Sequence, residues 1–208
     1  MRLLIFGSTG GVGRELVRQA LDQGHAVTAF ARTPATLDTT HDSLRLVEGD
    51  VMDLAAVRNA MPGHDAVLAA LGSPPWKNTD VRCEGNRQII RAMEQERVRR
   101  LVSLSTLGAG DSWQALPRKY RILFRSLLRN ALSAHERQES YITQSRLDWT
   151  IVRPGAYTHG PHTGAYRSGF PFDDATITAE ISRADVADFM LQQLTDDAYL
   201  HQTPGVSY

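Results

Sequence analysis

The sequence predicts an α/β fold, a doubly wound parallel sheet with helices on both faces, and three observations carry that prediction. Apolar runs of strand length alternate with amphipathic stretches of helix length along most of the chain. The first run, Leu3-Leu4-Ile5-Phe6, is apolar without alternation, as a strand covered on both faces must be. A glycine closes that run, and apolar residues at helical spacing follow directly.

The elements then come in order. Val12, Leu16, Val17, Ala20 and Leu21 repeat every three or four residues, so they form one helix face. Gly24 stands where a C-terminal cap belongs, because glycine adopts the left-handed conformation without a Cβ clash. Ala26–Ala31 and Leu44–Glu48 read as strands, Leu54–Ala60 as a short helix, and 66–71 as a fourth strand. A long helix over Val81–Glu96 leads to a strand over 100–105, and a helical stretch over 116–145 leads to a strand over 149–152. The pattern loosens over 155–174, rich in glycine, proline, histidine and aromatics, before a last helix over 183–194. A structureless segment of that length is too long for an ordinary connector, so 155–180 reads as a substrate-side loop or lid.

Length and charge narrow the classes. A chain of 208 residues is the size of one α/β domain, read here as 1–208. Lys plus Arg number 23 and Asp plus Glu 23, so no overall field points to nucleic acid or an anionic membrane surface. The single cysteine, Cys83, allows no internal disulfide and no thiolate metal cluster, which fits a reducing, cytoplasmic compartment. The first strand follows Met1 closely, leaving no room for a signal peptide, and no apolar run approaches the roughly 20 residues of a membrane span.

The turn Gly7-Ser8-Thr9-Gly10-Gly11-Val12-Gly13 carries the main functional signal. An anion held by backbone N–H groups needs a helix N-terminus and no side chains in the way, and glycines supply the clearance. Between a strand and a helix, the spacing G-x-x-G-x-x-G predicts a Rossmann-type site for the pyrophosphate of NAD(P). The second strand ends in Ala31-Arg32-Thr33, without the carboxylate that accepts from a ribose 2′-OH. Arg32 therefore reads either as a partner for the 2′-phosphate, favouring NADP(H) over NAD(H), or as a solvated surface arginine. In Gly49-Asp50-Val51, Asp50 either accepts from the adenine amino group, with the Val51 backbone beside it, or serves a turn, whereas Asp53 reads as a helix cap. Leu71-Gly72-Ser73 closes the fourth strand beside the expected nicotinamide ribose.

With these residues stand Ser103-Leu104-Ser105, Asp148-Trp149-Thr150-Ile151-Val152-Arg153-Pro154-Gly155 and Ile181-Ser182-Arg183-Ala184-Asp185-Val186-Ala187. Together they make the sequence resemble the atypical short-chain dehydrogenases/reductases, of the NmrA-like and biliverdin-IXβ (flavin) reductase-like group. That resemblance implies an NAD(P)-binding Rossmann fold and covers nearly the whole chain. One feature of the wider family is missing: aligning on Glu139 puts Ala131 at the tyrosine and His135 at the lysine of the Tyr-x-x-x-Lys pair. Neither nearby tyrosine restores it, since Tyr120 is followed four residues later by Phe124 and Tyr141 by Ser145. The pair hands a proton to a developing alkoxide, so its absence disfavours ordinary ketone reduction. Flavins and quinones accept a hydride into a conjugated system and depend less on such a donor.

Two functional readings follow: an NADPH-dependent oxidoreductase that reduces a flavin, quinone or similar conjugated acceptor, or a non-catalytic NADP(H) sensor of NmrA-like type that answers to a protein partner. Ser105, at the end of the fifth strand, reads either as a donor to an acceptor carbonyl or as a serine satisfied by its own backbone. His135 reads as a proton donor near neutral pH or as a surface residue. Pro154 is placed beside the nicotinamide, and Tyr157 and His159 beside the substrate. His159 and His162 lack the further ligands of a metal site. Trp113, Phe170 and Phe172 read as stacking partners for a flat acceptor or as plain packing. The basic run Arg118, Lys119, Arg121, Arg125 and Arg129 reads as a solvated face or as a contact for a partner or anionic substrate.

Overall fold

A computed structural model describes residues 1–72, 80–115, 129–174 and 176–208. In chain order the elements are β1 (Arg2–Phe6), α1 (Gly11–Asp22), β2 (Ala26–Ala31), β3 (Leu44–Glu48), α2 (Leu54–Ala60), β4 (Ala66–Ala69), α3 (Val81–Glu96) and β5 (Arg100–Leu104). There follow α4 (Arg129–Thr143), β6 (Asp148–Pro154), β7 (Ala156–Thr158), β8 (Arg167–Ser168), β9 (Glu180–Ser182), α5 (Arg183–Gln192) and β10 (Gly205–Ser207).

Eight strands form one sheet in the order β3-β2-β1-β4-β5-β6-β10-β8, parallel except for β8, while β7 and β9 pair in parallel beside it. This is the doubly wound, Rossmann-type arrangement expected from the alternation of elements. The chain runs outward from β1 to β3, then crosses back to β4, so the strand order reverses between β1 and β4. A crevice must open at that reversal, beyond the strand C-termini, and the glycine turn lies there.

Strand β1 shows why an unbroken apolar run is needed. Its side chains alternate across the sheet, so Leu3 and Ile5 pack with Leu16 of α1 and Met190 of α5, while Leu4 and Phe6 pack with Met61, Ile89 and Ile142 on the other face. These four of the five β1 side chains are fully buried, and Arg2 is exposed. Each such burial contributes about 2 kcal/mol. The two hydrophobic faces clamp the sheet and leave its C-terminal edge free for a site.

The helix ends follow local rules. Gly24 has φ 79° just past α1, as its place in the sequence predicts. Asp53 caps α2 by accepting from the Ala55 N–H at 2.9 Å. The predicted stretch 116–145 corresponds to α4 from residue 129 onward, and 116–128 lies outside the described residues. The loosened region contains β7, β8 and β9, and the C-terminal β10 extends the sheet next to β6. Strands of two or three residues are too short to show an alternating pattern, so periodicity could not reveal them. Among the described residues no helix is long and apolar enough to cross a membrane.

Candidate active site

A cleft of about 1040 Å³ opens at the strand reversal. Arg32, after β2, lies toward one end, and the glycine turn, after β1, comes next. Gly7 has φ 74°, and a Cβ on it would lie 2.3 Å from the Ala70 carbonyl oxygen. A Cβ on Gly13 would lie 2.1 Å from the Gly7 carbonyl oxygen, so only glycine lets α1 start this close to β1. Gly10 is the N-cap of α1; it has no side chain to cap the helix, and no acidic residue occupies the first turn. The exposed N–H groups and the positive end of the helix dipole are therefore available to an anion.

The cleft collects most of the sequence-predicted cofactor residues: Gly7, Thr9, Gly10, Gly11, Val12, Arg32, Asp50, Val51, Leu71 and Gly72 line it. Gly13 acts from behind, through the clearance described above. Ser8 is fully buried and donates to the Phe30 carbonyl at 3.1 Å, so its hydroxyl ties the turn to β2. Asp50 accepts from the Met52 N–H at 3.0 Å, the turn role weighed for it, while it also faces the cleft. Pro154 is buried at the end of β6 and does not line the cleft. Ser73, Arg118, Lys119, Arg121 and Arg125 lie outside the described residues.

Ser105 and His135 stand at the other end, with Tyr157 on the wall. Ser105 does not bond its own backbone. Its hydroxyl donates to Glu139 Oε1 at 2.5 Å and lies 3.3 Å from His135 Nδ1. Glu139 is held on both oxygens by Arg153, through Nε at 3.0 Å and Nη2 at 2.6 Å. Arg153 also reaches Asp111 through Nη1 at 2.5 Å. Burial pulls the Arg153 pKa down, but Glu139 and Asp111 more than offset it and the net shift is upward. The group is thus an ion pair whose neutral appendage is Ser105.

A hydroxyl has one hydrogen, and Ser105 gives it to Glu139. His135 Nδ1 must then carry a hydrogen to reach the Ser105 oxygen, which leaves Nε2 as an acceptor. His135 is only 8% exposed. Burial, and secondarily the Arg82 charge, hold its pKa down at about 3, so the ring is neutral at pH 7. Of the two readings weighed for His135, the surface one is corrected by this burial: His135 is an interior, neutral ring that steadies Ser105.

Two arginines that the sequence did not single out as site residues also line the cleft, Arg82 and Arg183. Arg183 opens α5; its side chain packs on Gly11, where a Cβ would meet its Cδ at 2.6 Å. Its guanidinium donates to the Thr158 carbonyl at 3.1 Å and sits 5.2 Å from the Tyr157 ring centre. Although 40% of Tyr157 is open, the cleft walls desolvate its phenol and push its pKa up to about 12, against the pull of Arg82 and Arg183. An arginine is legible as a cleft residue only once α3 and α5 are placed, since nothing in its neighbours marks it.

Other candidates fall elsewhere. His159 is exposed and outside the cleft, and His162 pairs with Asp188 at 3.4 Å. No group of three or more potential metal-binding side chains occurs among the described residues. Phe170 and Phe172 line a separate cavity of about 320 Å³ near β8 and β10, and Trp113 lines neither, so none of the three faces this cleft. The loop after β7 is tied down: Asp185 accepts from the Thr163 and Gly164 N–H groups and from the Tyr208 hydroxyl.

Comparison with known proteins bears on the fold and on the cofactor class. A family model described as NAD(P)H-binding matches residues 7–197. A photosystem II assembly factor of Synechocystis is 25% identical over 98% of this chain, which spans 61% of that protein. A (4-alkanoyl-5-oxo-2,5-dihydrofuran-3-yl)methyl phosphate reductase of Streptomyces griseus is 27% identical over 74% of this chain, which spans 48% of it. Among solved structures, an oxidoreductase of Lactococcus lactis superposes with a TM-score of 0.85 at 24% identity, covering 99% of this chain and 90% of that one.

Proposed function

The chain belongs to the NAD(P)H-binding family, and from that premise we propose that it is an NADPH-dependent reductase of conjugated acceptors such as flavins or quinones, of the atypical short-chain dehydrogenase/reductase type. The observation that carries this reading is the continuity of one cleft from Arg32, past the glycine turn, to Ser105 and His135. A dinucleotide laid on the turn would be held by Arg32 at its 2′-phosphate, with its nicotinamide toward Ser105. When bound, the reduced nicotinamide supplies a hydride to the acceptor.

The residues of the chain then have separate tasks. The uncapped start of α1 holds the pyrophosphate, with the Gly7 and Gly13 clearances keeping the backbone close. Arg32 pairs with the 2′-phosphate. Ser105 serves an acceptor carbonyl. Glu139 keeps both Arg153 bonds when the Ser105 hydroxyl turns away, so the hydroxyl can swing to the acceptor without stranding a buried charge. His135 keeps the Ser105 oxygen in place during that exchange, and solvent completes protonation of the reduced acceptor. The Streptomyces reductase, whose named substrate contains a conjugated ring carbonyl, supports this choice of acceptor class.

The test is turnover of NADPH with FMN, riboflavin and quinones, together with Ser105→Ala. The variant is expected to lower kcat about tenfold or more while NADPH binding stays intact. A kcat equal to that of the parent protein removes Ser105 from the mechanism.

A further inference from the structure

Three arginines line the cleft, Arg32, Arg82 and Arg183, and the proposed dinucleotide site gives a place to two of them. NADPH offers a 2′-phosphate and a pyrophosphate. Arg32 stands at the end of β2 for the first, and the glycine turn, with Arg183 packed against Gly11, stands for the second. Arg82 is left over.

Arg82, on the first turn of α3, is half-buried in the cleft wall. Its neighbours already use their acids: Arg87 pairs with Glu84 at 2.8 Å, Arg137 with Asp80 at 3.2 Å, and Arg153 with Glu139 and Asp111. None of the ion pairs among the described residues includes Arg82. The segments 73–79 and 116–128 and residue 175 contain no aspartate or glutamate in the sequence, so they bring no carboxylate to it either. Its charge is felt by His135 and by Tyr157, the residues of the acceptor end. A partly desolvated guanidinium with no anion is costly, and binding one relieves that cost.

Resting on the reductase reading, we infer that the acceptor carries a carboxylate or phosphate, and that Arg82 binds it. Arg82 is a specificity residue in this account: it selects among acceptors of equal redox chemistry by their charge.

Matched acceptors isolate the effect. FMN and riboflavin differ only in the phosphate; biliverdin and its dimethyl ester differ only in free carboxylates. With NADPH saturating, the parent protein is expected to show kcat/KM at least about tenfold higher for the charged member of one pair, and the responding pair identifies phosphate or carboxylate. Arg82→Gln brings that ratio near one by raising KM for the charged member, Arg82→Lys restores part of it, and both variants bind NADPH like the parent. Equal rates for charged and neutral members in the parent overturn the inference and leave the reductase reading standing. An Arg82→Gln effect shared equally by both members, or appearing in NADPH affinity, overturns it as well. Failure of all four acceptors overturns the inference, and failure of quinones as well overturns the reductase reading with it.

Discussion

The buried quartet Ser105, His135, Glu139 and Arg153 sets the chemistry at the scale of single residues. Glu139 and Arg153 have side chains 9% and 5% exposed, and removing one partner strands the other. Arg153→Leu is expected to destabilise the protein by about 3–5 kcal/mol in urea unfolding, far beyond a surface ion pair, because a buried carboxylate is left unpaired. His135 gives a pH signature. Its folded pKa, about 3, lies below the ordinary 6.5, so the unfolded chain binds the proton first as pH falls. Stability is therefore full above about pH 6.5 and declines toward pH 3, with a contribution of up to about 1.4 kcal/mol per pH unit from this ring. His135→Gln should flatten that decline between pH 6 and 4; an unchanged profile would mean the ring is not held neutral. Ser105 and His135 were legible as candidates from strand position and chain spacing. Their dependence on Arg153 was not, because the contact joins α4 to β6 and no local pattern encodes it.

At the scale of elements, the glycine turn separates clearance from conformation. Gly13→Ala drives a methyl into the Gly7 carbonyl at 2.1 Å, backbone that cannot give way. It is expected to weaken NADPH binding at least about tenfold and to lower Tm, since α1 must move off β1. Gly24→Ala meets open space but keeps φ 79°, so it should cost about 1 kcal/mol of stability and leave binding untouched. Calorimetry and a fluorescence titration on both variants separate the two effects. The long periodic elements, β1 through α3, could be read from the sequence to within a residue or two, because their apolar faces are imposed by the sheet. The strands β7 to β10 could not, since two or three residues carry no period and their pairing depends on partners elsewhere in the chain.

The whole molecule explains why the cleft exists at all. Reversal of strand order between β1 and β4 opens the crevice, α1 and α5 pack together on one face, and Arg183 at the start of α5 reaches over the glycine turn from that packing. The fold and cofactor class were legible because the strand–helix alternation and the turn leave marks in sequence; the two extra arginines were not, since tertiary packing alone brings them in. The central claim, a reductase that prefers NADPH, is tested most directly by following loss of NADPH absorbance with FMN, riboflavin and quinones, with NADH in parallel and Arg32→Ala as the comparison. The account predicts turnover with kcat/KM at least about tenfold higher for NADPH than for NADH, and loss of that preference in Arg32→Ala. Tight NADPH binding without reduction of any acceptor contradicts it and points to the sensor reading instead.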